Sequence, residues 1–179
     1  MTATLTAVRL PIPWQAYGLP LPWRGRSTTL LSGDHAWAWS PSVPTLPVAD
    51  CGPPPAGDHA GDWDVDHVVL LVPDLPEAVA LLAAAGADLR LQMEVRGRPS
   101  AFFRVGTVLE VIQERVRTAR LFGVALVTAT PLADLARRWR GEGHDVGDPR
   151  PAIQPGREIM TVRGAGAGLA VMSPNGSVF

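Results

Sequence analysis

Asp66-His67-Val68-Val69-Leu70-Leu71-Val72-Pro73-Asp74-Leu75-Pro76-Glu77 is the stretch on which the fold turns. Its β-branched and apolar run over 67–72 predicts a strand. Asp74 is placed to cap a helix, and Pro76 suits a first helical turn. That helix is predicted over 77–85 and stops at Gly86, a residue that accepts the left-handed backbone of a helix end. Three strand-like segments follow, over 89–95, 101–105 and 108–113, and Gly106-Thr107 predicts a tight hairpin between the last two.

The same order then repeats. Residues 122–127 read as a strand, 131–142 as a helix with Thr130 as its cap, and Gly143 as its end. Residues 158–163 and 168–172 read as a hairpin around Gly164-Ala165-Gly166-Ala167-Gly168. Between them, 145–156 is broken by Pro and Gly, so its strand must be short or irregular. An offset of 55 residues sets Leu70-Leu71-Val72 on Ala125-Leu126-Val127, Leu75 on Thr130, Ala78 on Ala133 and Gly86 on Gly141. The expected fold is therefore α+β, with two tandem βαβββ units forming a cupped mixed sheet. Residues 63–118 hold the first unit, and 119–179 hold the second with a C-terminal tail.

Residues 1–62 read as an N-terminal extension rich in Pro and Trp. Ten of the 18 prolines and four of the six tryptophans precede residue 56. Proline excludes central strands there, while the tryptophans argue for an ordered segment packed on the main domain, either as a lid over the cup or on the outer sheet face. Residues 28–31 and 35–39, joined by Ser32-Gly33-Asp34, predict a β-hairpin. Residues 41–62 predict a linker.

Composition narrows the function classes. The chain has 179 residues, 46% of them hydrophobic, which is enough to bury a core. Sixteen basic residues, all Arg, stand against 17 acidic ones, so a nucleic-acid partner is not expected. The single Cys51 makes no internal disulfide and favours a reducing, cytoplasmic setting. No charged leader with an apolar run opens the sequence, and no window is apolar enough to span a membrane. The glycine-rich 164–168 stretch lacks the Lys-Ser/Thr of a nucleotide loop and opens no helix, which leaves a hairpin turn. Arg137, Arg138 and Arg140 read as a solvated helix face.

Asp66-His67-Val68-Val69-Leu70 with Pro73-Asp74-Leu75, and Phe102-Phe103-Arg104-Val105-Gly106 leading into Leu109-Glu110-Val111-Ile112, resemble the vicinal oxygen chelate superfamily of glyoxalase-like and bleomycin-resistance-like proteins. Phe122-Gly123-Val124-Ala125-Leu126-Val127 and Gly168-Leu169-Ala170-Val171-Met172-Ser173-Pro174 carry the resemblance into the second unit. The resemblance covers about residues 64–174. It implies a ligand site on the concave face and, in metal-dependent members, a divalent ion held by His or Glu on the first and last strands of each unit. His67 and Glu110 match those positions in unit one. Phe122 and Ala170 stand there in unit two and cannot ligate a metal.

His67 and Glu110 are thus the candidate catalytic residues. Alternation along the strands places Val69, Phe102, Arg104, Ile112, Phe122, Val124 and Met172 as candidate lining of an apolar cup. The structural alternatives are a satisfied His67 at a strand mouth, bonded to Asp64 or Asp66, and an ordinary solvent-facing Glu110. As the cup's charged group, Glu110 needs a partner, for which His67 and Arg104 are candidates. The first functional expectation is a small-molecule binder of unknown reaction without a complete metal site and with no cofactor. The alternatives are a metal-dependent lyase, isomerase or dioxygenase using His67 and Glu110, with His35 or His59 completing the site, and a non-catalytic homodimeric interaction module.

Overall fold

The computed structural model describes residues 2–19, 21–41, 43–59 and 61–175. The extension folds as a sheet of its own, built from β1 (Thr4–Leu10), β2 (Trp23–Arg24), β3 (Thr29–Ser32), β4 (Ala36–Ser40), β5 (Ala49–Asp50) and β6 (Asp58–His59). Its order is β5-β4-β1-β3-β2-β6. The hairpin expected over 28–39 does not form, because β1 inserts between its two arms. Val8 pairs in parallel with Leu30 on one side and antiparallel with Trp37 on the other. Leu5, Val8 and Leu10 of β1 are fully buried, as expected of a strand paired on both sides. The stretch expected to be a linker supplies both outer strands, β5 beside β4 and β6 beside β2.

The second sheet is built by β7 (Trp63–Val72), β8 (Asp88–Val95), β9 (Arg98–Val105), β10 (Thr107–Gln113), β11 (Arg120–Thr128), β12 (Asp145–Val146), β13 (Arg150–Pro151), β14 (Glu158–Arg163) and β15 (Gly168–Met172). Helix α1 (Leu75–Ala84) follows β7, and α2 (Leu132–Gly141) follows β11. The strand order is β12-β14-β15-β11-β7-β10-β9-β8, with β13 also on β14. Each half repeats one plan. The first strand of a unit runs parallel to its last, and the two first strands meet antiparallel at the centre. The α+β architecture of two βαβββ units read from the sequence is the one the chain adopts.

The alignment between the units needs correction. Both helices start on Leu, at Leu75 and Leu132, and both end before a glycine at φ 92°, Gly86 and Gly143. Their offset is therefore 57, and the 55-residue register set Gly86 on the wrong glycine. Asp74 caps α1 as expected, accepting from Glu77 N–H at 2.8 Å. Thr130 does not cap α2; Pro131 holds that position without a side-chain bond.

Both sheets share one core. Leu5, Leu10, Trp14, Trp23, Leu30 and Trp37 from the extension join Val68, Leu70, Phe103, Leu109, Leu82 and Trp139 in a single buried cluster. The Tyr17 ring lies 5.1 Å from Trp139 and 4.4 Å from His144, and Trp63 stacks on Trp139 at 6.0 Å. Ala3 N–H donates to Gly86 C=O at the end of α1. The tryptophan-rich arm thus covers the helix side of the second sheet and leaves the opposite face open.

Candidate functional site

Cross-strand partners share a face, so the pairing of β7–β11, β14 and β15 gives the open face row by row. One row runs Leu91, Phe102, Glu110, Val69, Gly123, Gly168. The next runs Asp88, Arg104, Val108, His67, Ala125, Ala170, Thr161. Val68, Leu70, Leu109 and Val111 alternate to the helix side and are fully buried. His67 and Glu110 come together on the open face, with His67 Nε2 3.4 Å from a Glu110 carboxylate oxygen.

Of the other expected lining residues, Val69, Phe102, Arg104 and Ile112 share this face with the pair. Phe122 is 46% exposed and lays its ring over Gly168, 2.5 Å from where a Cβ would stand. Val124 does not line the cup. It is 3% exposed and packs in the helix-side core. The reason is a bulge at Phe122, which adds a residue to β11 and reverses the alternation after it. Met172 belongs to the open-face row beyond Ala170 but is closed off at 2% exposure. Register also moves one equivalence. His67 faces Val108 in unit one, and Gly123 faces Gly168 in unit two, so Gly123 rather than Phe122 is the counterpart of His67. Ala170 remains the counterpart of Glu110.

A second bulge builds the polar centre. Ala125 pairs with His67 and Leu126 with Val65, so Asp66 is the extra residue on β7. Regular alternation would send Asp66 and His67 to opposite faces. The bulge instead lets the Asp66 carboxylate accept from His67 Nδ1 at 2.8 Å. The other Asp66 oxygen accepts from Arg157 Nη2 at 2.5 Å, and Arg157 Nε donates to Ser173 C=O at 2.9 Å. Arg157 is 6% exposed, so its charge is neutralised almost entirely by Asp66. A relay Arg157–Asp66–His67–Glu110 results. Asp66 is among the partners foreseen for His67. Arg157 is not, because nothing near Gly156-Arg157 in the sequence points across to Asp66. Arg104, the other candidate partner for Glu110, makes no ion pair among the described residues.

The two carboxyls sit in opposed electrostatic settings. Burial pushes the Glu110 carboxyl above its usual range, and the charges of His67 and Arg96 offset only part of that. Burial also pushes on Asp66, but hydrogen bonds from His67 and Arg157, with their charges, outweigh it and hold Asp66 below the usual range. One carboxyl therefore retains a proton more readily while its neighbour is held ionised.

A cavity of about 700 Å³ adjoins this centre. Arg26, Thr28 and His59 of the extension and Asp66, Arg104 and Arg157 of the second sheet are among its walls. Asp66 and Arg157 belong to both cavity and relay. His67 and Glu110 do not line it and are reached from the open face. His59 thus stands at the cavity, while His35 lies between β3 and β4 and does not line it.

The fit of a divalent metal is poor. His67 offers Nε2 and Glu110 a carboxylate, but His67 Nδ1 is taken, and Gly123 and Ala170 carry no donor atom. Among the described residues no three His, Cys, Asp or Glu side chains converge as a metal site. A catalytic zinc-type centre generally uses three protein ligands.

No family model matches this chain, and no curated protein does. Solved structures do. A methylmalonyl-CoA epimerase from Mycobacterium tuberculosis is 17% identical, with a TM-score of 0.52 over 62% of this chain and 87% of that one. The Streptomyces coelicolor methylmalonyl-CoA epimerase (one described in complex with 2-nitronate-propionyl-CoA) is 18% identical, with a TM-score of 0.52 over 63% of this chain and 94% of that one. A hypothetical protein from Bacillus halodurans reaches 0.54 at 12% identity, over 63% and 94%. A further epimerase structure is described in complex with methylmalonyl-CoA and NH4+. The two-unit sheet of this chain has the fold of the vicinal oxygen chelate, glyoxalase-like superfamily, the one its sequence resembles.

Proposed function

We propose that the open face binds a small organic acid or ester and that Glu110 and His67 move a proton on it, as an isomerase or lyase does. The observation that carries this reading is the relay itself. A half-buried carboxyl with a raised pKa lies 3.4 Å from a histidine whose far nitrogen is fixed by an ionised aspartate. A general base works best when its pKa approaches the working pH, and burial moves Glu110 that way. With Nδ1–H donated to Asp66, His67 presents Nε2 toward Glu110, so one proton can pass between the two. Phe102, Val69 and Phe122 supply apolar walls. No step is assigned to a metal.

The test begins with a thermal-shift screen of carbonyl acids, since a ligand that binds the native state raises its stability. For a ligand so found, deuterium uptake from D2O at the carbon beside the carbonyl is expected. Its rate should rise with pH through a midpoint above the ordinary glutamate value of about 4.3. Glu110→Gln should keep binding and lose at least about a hundredfold in exchange. Exchange at the wild-type rate in Glu110→Gln sinks the reading.

A second reading rests on β8. It is the outer strand, residues 89–94 are all exposed, and Leu91 and Met93 are 50% and 43% exposed. An open, apolar edge is a template for pairing. The extension is spent on its own chain, so we place a homodimer contact here rather than on the arm. Sedimentation is expected to give a dimer that Leu91→Lys dissociates; a monomeric wild type ends this reading.

A further inference from the structure

We infer that the 700 Å³ cavity is an oxyanion subsite, taking a carboxylate or phosphate of the ligand, and that the N-terminal sheet completes it. The inference deepens the proposed function and rests on the cup being a ligand site, though not on the proton chemistry.

The charges of the lining are unevenly satisfied. Asp64 is held by Arg26, both through the side chain at 3.1 Å and through Arg26 N–H at 2.9 Å. Asp66 is held by His67 and Arg157. That leaves Asp62, exposed and without a partner among the described residues, as the one free carboxylate. On the positive side, Arg104 is exposed and lines the cavity, and its side chain makes no hydrogen bond or ion pair among the described residues. Arg157 uses Nε on Ser173 and Nη2 on Asp66, while its Nη1 has no partner among the described residues. A guanidinium that is 6% exposed and lines a cavity with unused N–H groups is a preorganised donor. An anion there would give Nη1 a charge-assisted hydrogen bond in place of water.

Part of the wall comes from the extension. Gly25 and Gly106 bring the two sheets close at this point. A Cβ on Gly25 would stand 2.6 Å from the Asp64 carboxylate, and one on Gly106 would stand 2.8 Å from the Ser27 side chain. That close packing puts Arg26, Ser27, Thr28 and His59 on the walls of the same cavity as Arg104 and Arg157. Arg104 lies in the same cross-strand row as His67, so an anion held here would place the rest of a short ligand over the relay.

The test uses inorganic phosphate as probe, at constant ionic strength made up with chloride. The side-chain Nε–H resonances of Arg104 and Arg157 are followed by NMR. A saturable shift of both is expected. Arg104→Gln should weaken phosphate about tenfold, the effect of one charge-assisted hydrogen bond. His59→Ala should weaken it measurably, whereas Arg137→Gln on α2, outside the cavity, should not. No saturable shift, or equal weakening by Arg137→Gln, overturns the subsite. An unchanged affinity in His59→Ala overturns the part given to the extension. The neutral dye Nile red separates the two levels. Dye binding without phosphate binding removes only the oxyanion subsite, and failure of both probes removes the cup as a ligand site as well.

Discussion

A chain lacking residues 1–62 should show no cooperative thermal transition. The fold alone suggests otherwise, since the matched epimerases are covered over 87–94% of their own length by about three-fifths of this chain. Here the extension is part of the core. Leu5, Val8, Leu10, Ile12, Trp14, Trp23, Leu30 and Trp37 are each at most 1% exposed and pack in one cluster with both helices. Fully burying one such side chain stabilises by about 1.5–3 kcal/mol, while a whole domain is stable by only about 5–15 kcal/mol. Without the extension, its partners in that cluster, among them Val68, Leu70, Leu82 and Trp139, lose part of their cover, and a few such exposures equal the stability of a whole domain. The truncated chain would also uncover Trp139 and Trp63, whose stacked rings the Tyr17 segment now borders. Far-UV circular dichroism on heating is the measurement. A sigmoidal melt with dispersed amide resonances in the truncated chain would show that the extension is dispensable.

The legible part of this protein was local. Strand and helix order could be read because Asp74, Gly86 and Gly143 are local signals, and local signals act on the few residues around them. What sequence reasoning lost is non-local. Nothing in residues 28–39 announces that β1 will separate the two arms, because the partner that does so, residues 4–10, lies outside that stretch. The two bulges hid from alternation rules for the same reason. A bulge costs a ladder bond and returns that energy through tertiary contacts, here the Phe122 ring over Gly168 and the Asp66 bonds. Hence Val124 was expected in the cup and lies in the core, while Asp66 gained a role that a regular strand denies it. His67 and Glu110 were legible through a family pattern. Arg157 was not, because 91 residues separate it from Asp66.

Asp66→Asn should destabilise the protein by about 3–5 kcal/mol at pH 7, the loss found when one partner of a buried ion pair is removed. Asn preserves the shape of Asp but leaves the Arg157 guanidinium, with its side chain 5% exposed, without its counter-ion. The pH dependence separates charge from shape. The Asp66 pKa is lower in the folded protein than in the unfolded chain. Its stabilisation is therefore fully present above the unfolded value of about 3.9 and is lost as pH falls through the folded value. The gap between wild type and Asp66→Asn in urea unfolding should be widest at neutral pH and close in acid. Glu110 has the opposite sign. Its folded pKa is raised, so its contribution is fully present below about 4.3 and is lost as pH rises through the folded value. Glu110→Gln should then be neutral or stabilising at pH 7, 3.4 Å from a histidine whose own aspartate partner cannot be spared. A constant gap for Asp66→Asn across pH would mean that hydrogen-bond geometry, not charge, holds Arg157. In that case the relay would not keep Asp66 ionised beside His67, and the tautomer assigned to His67 would lose its support.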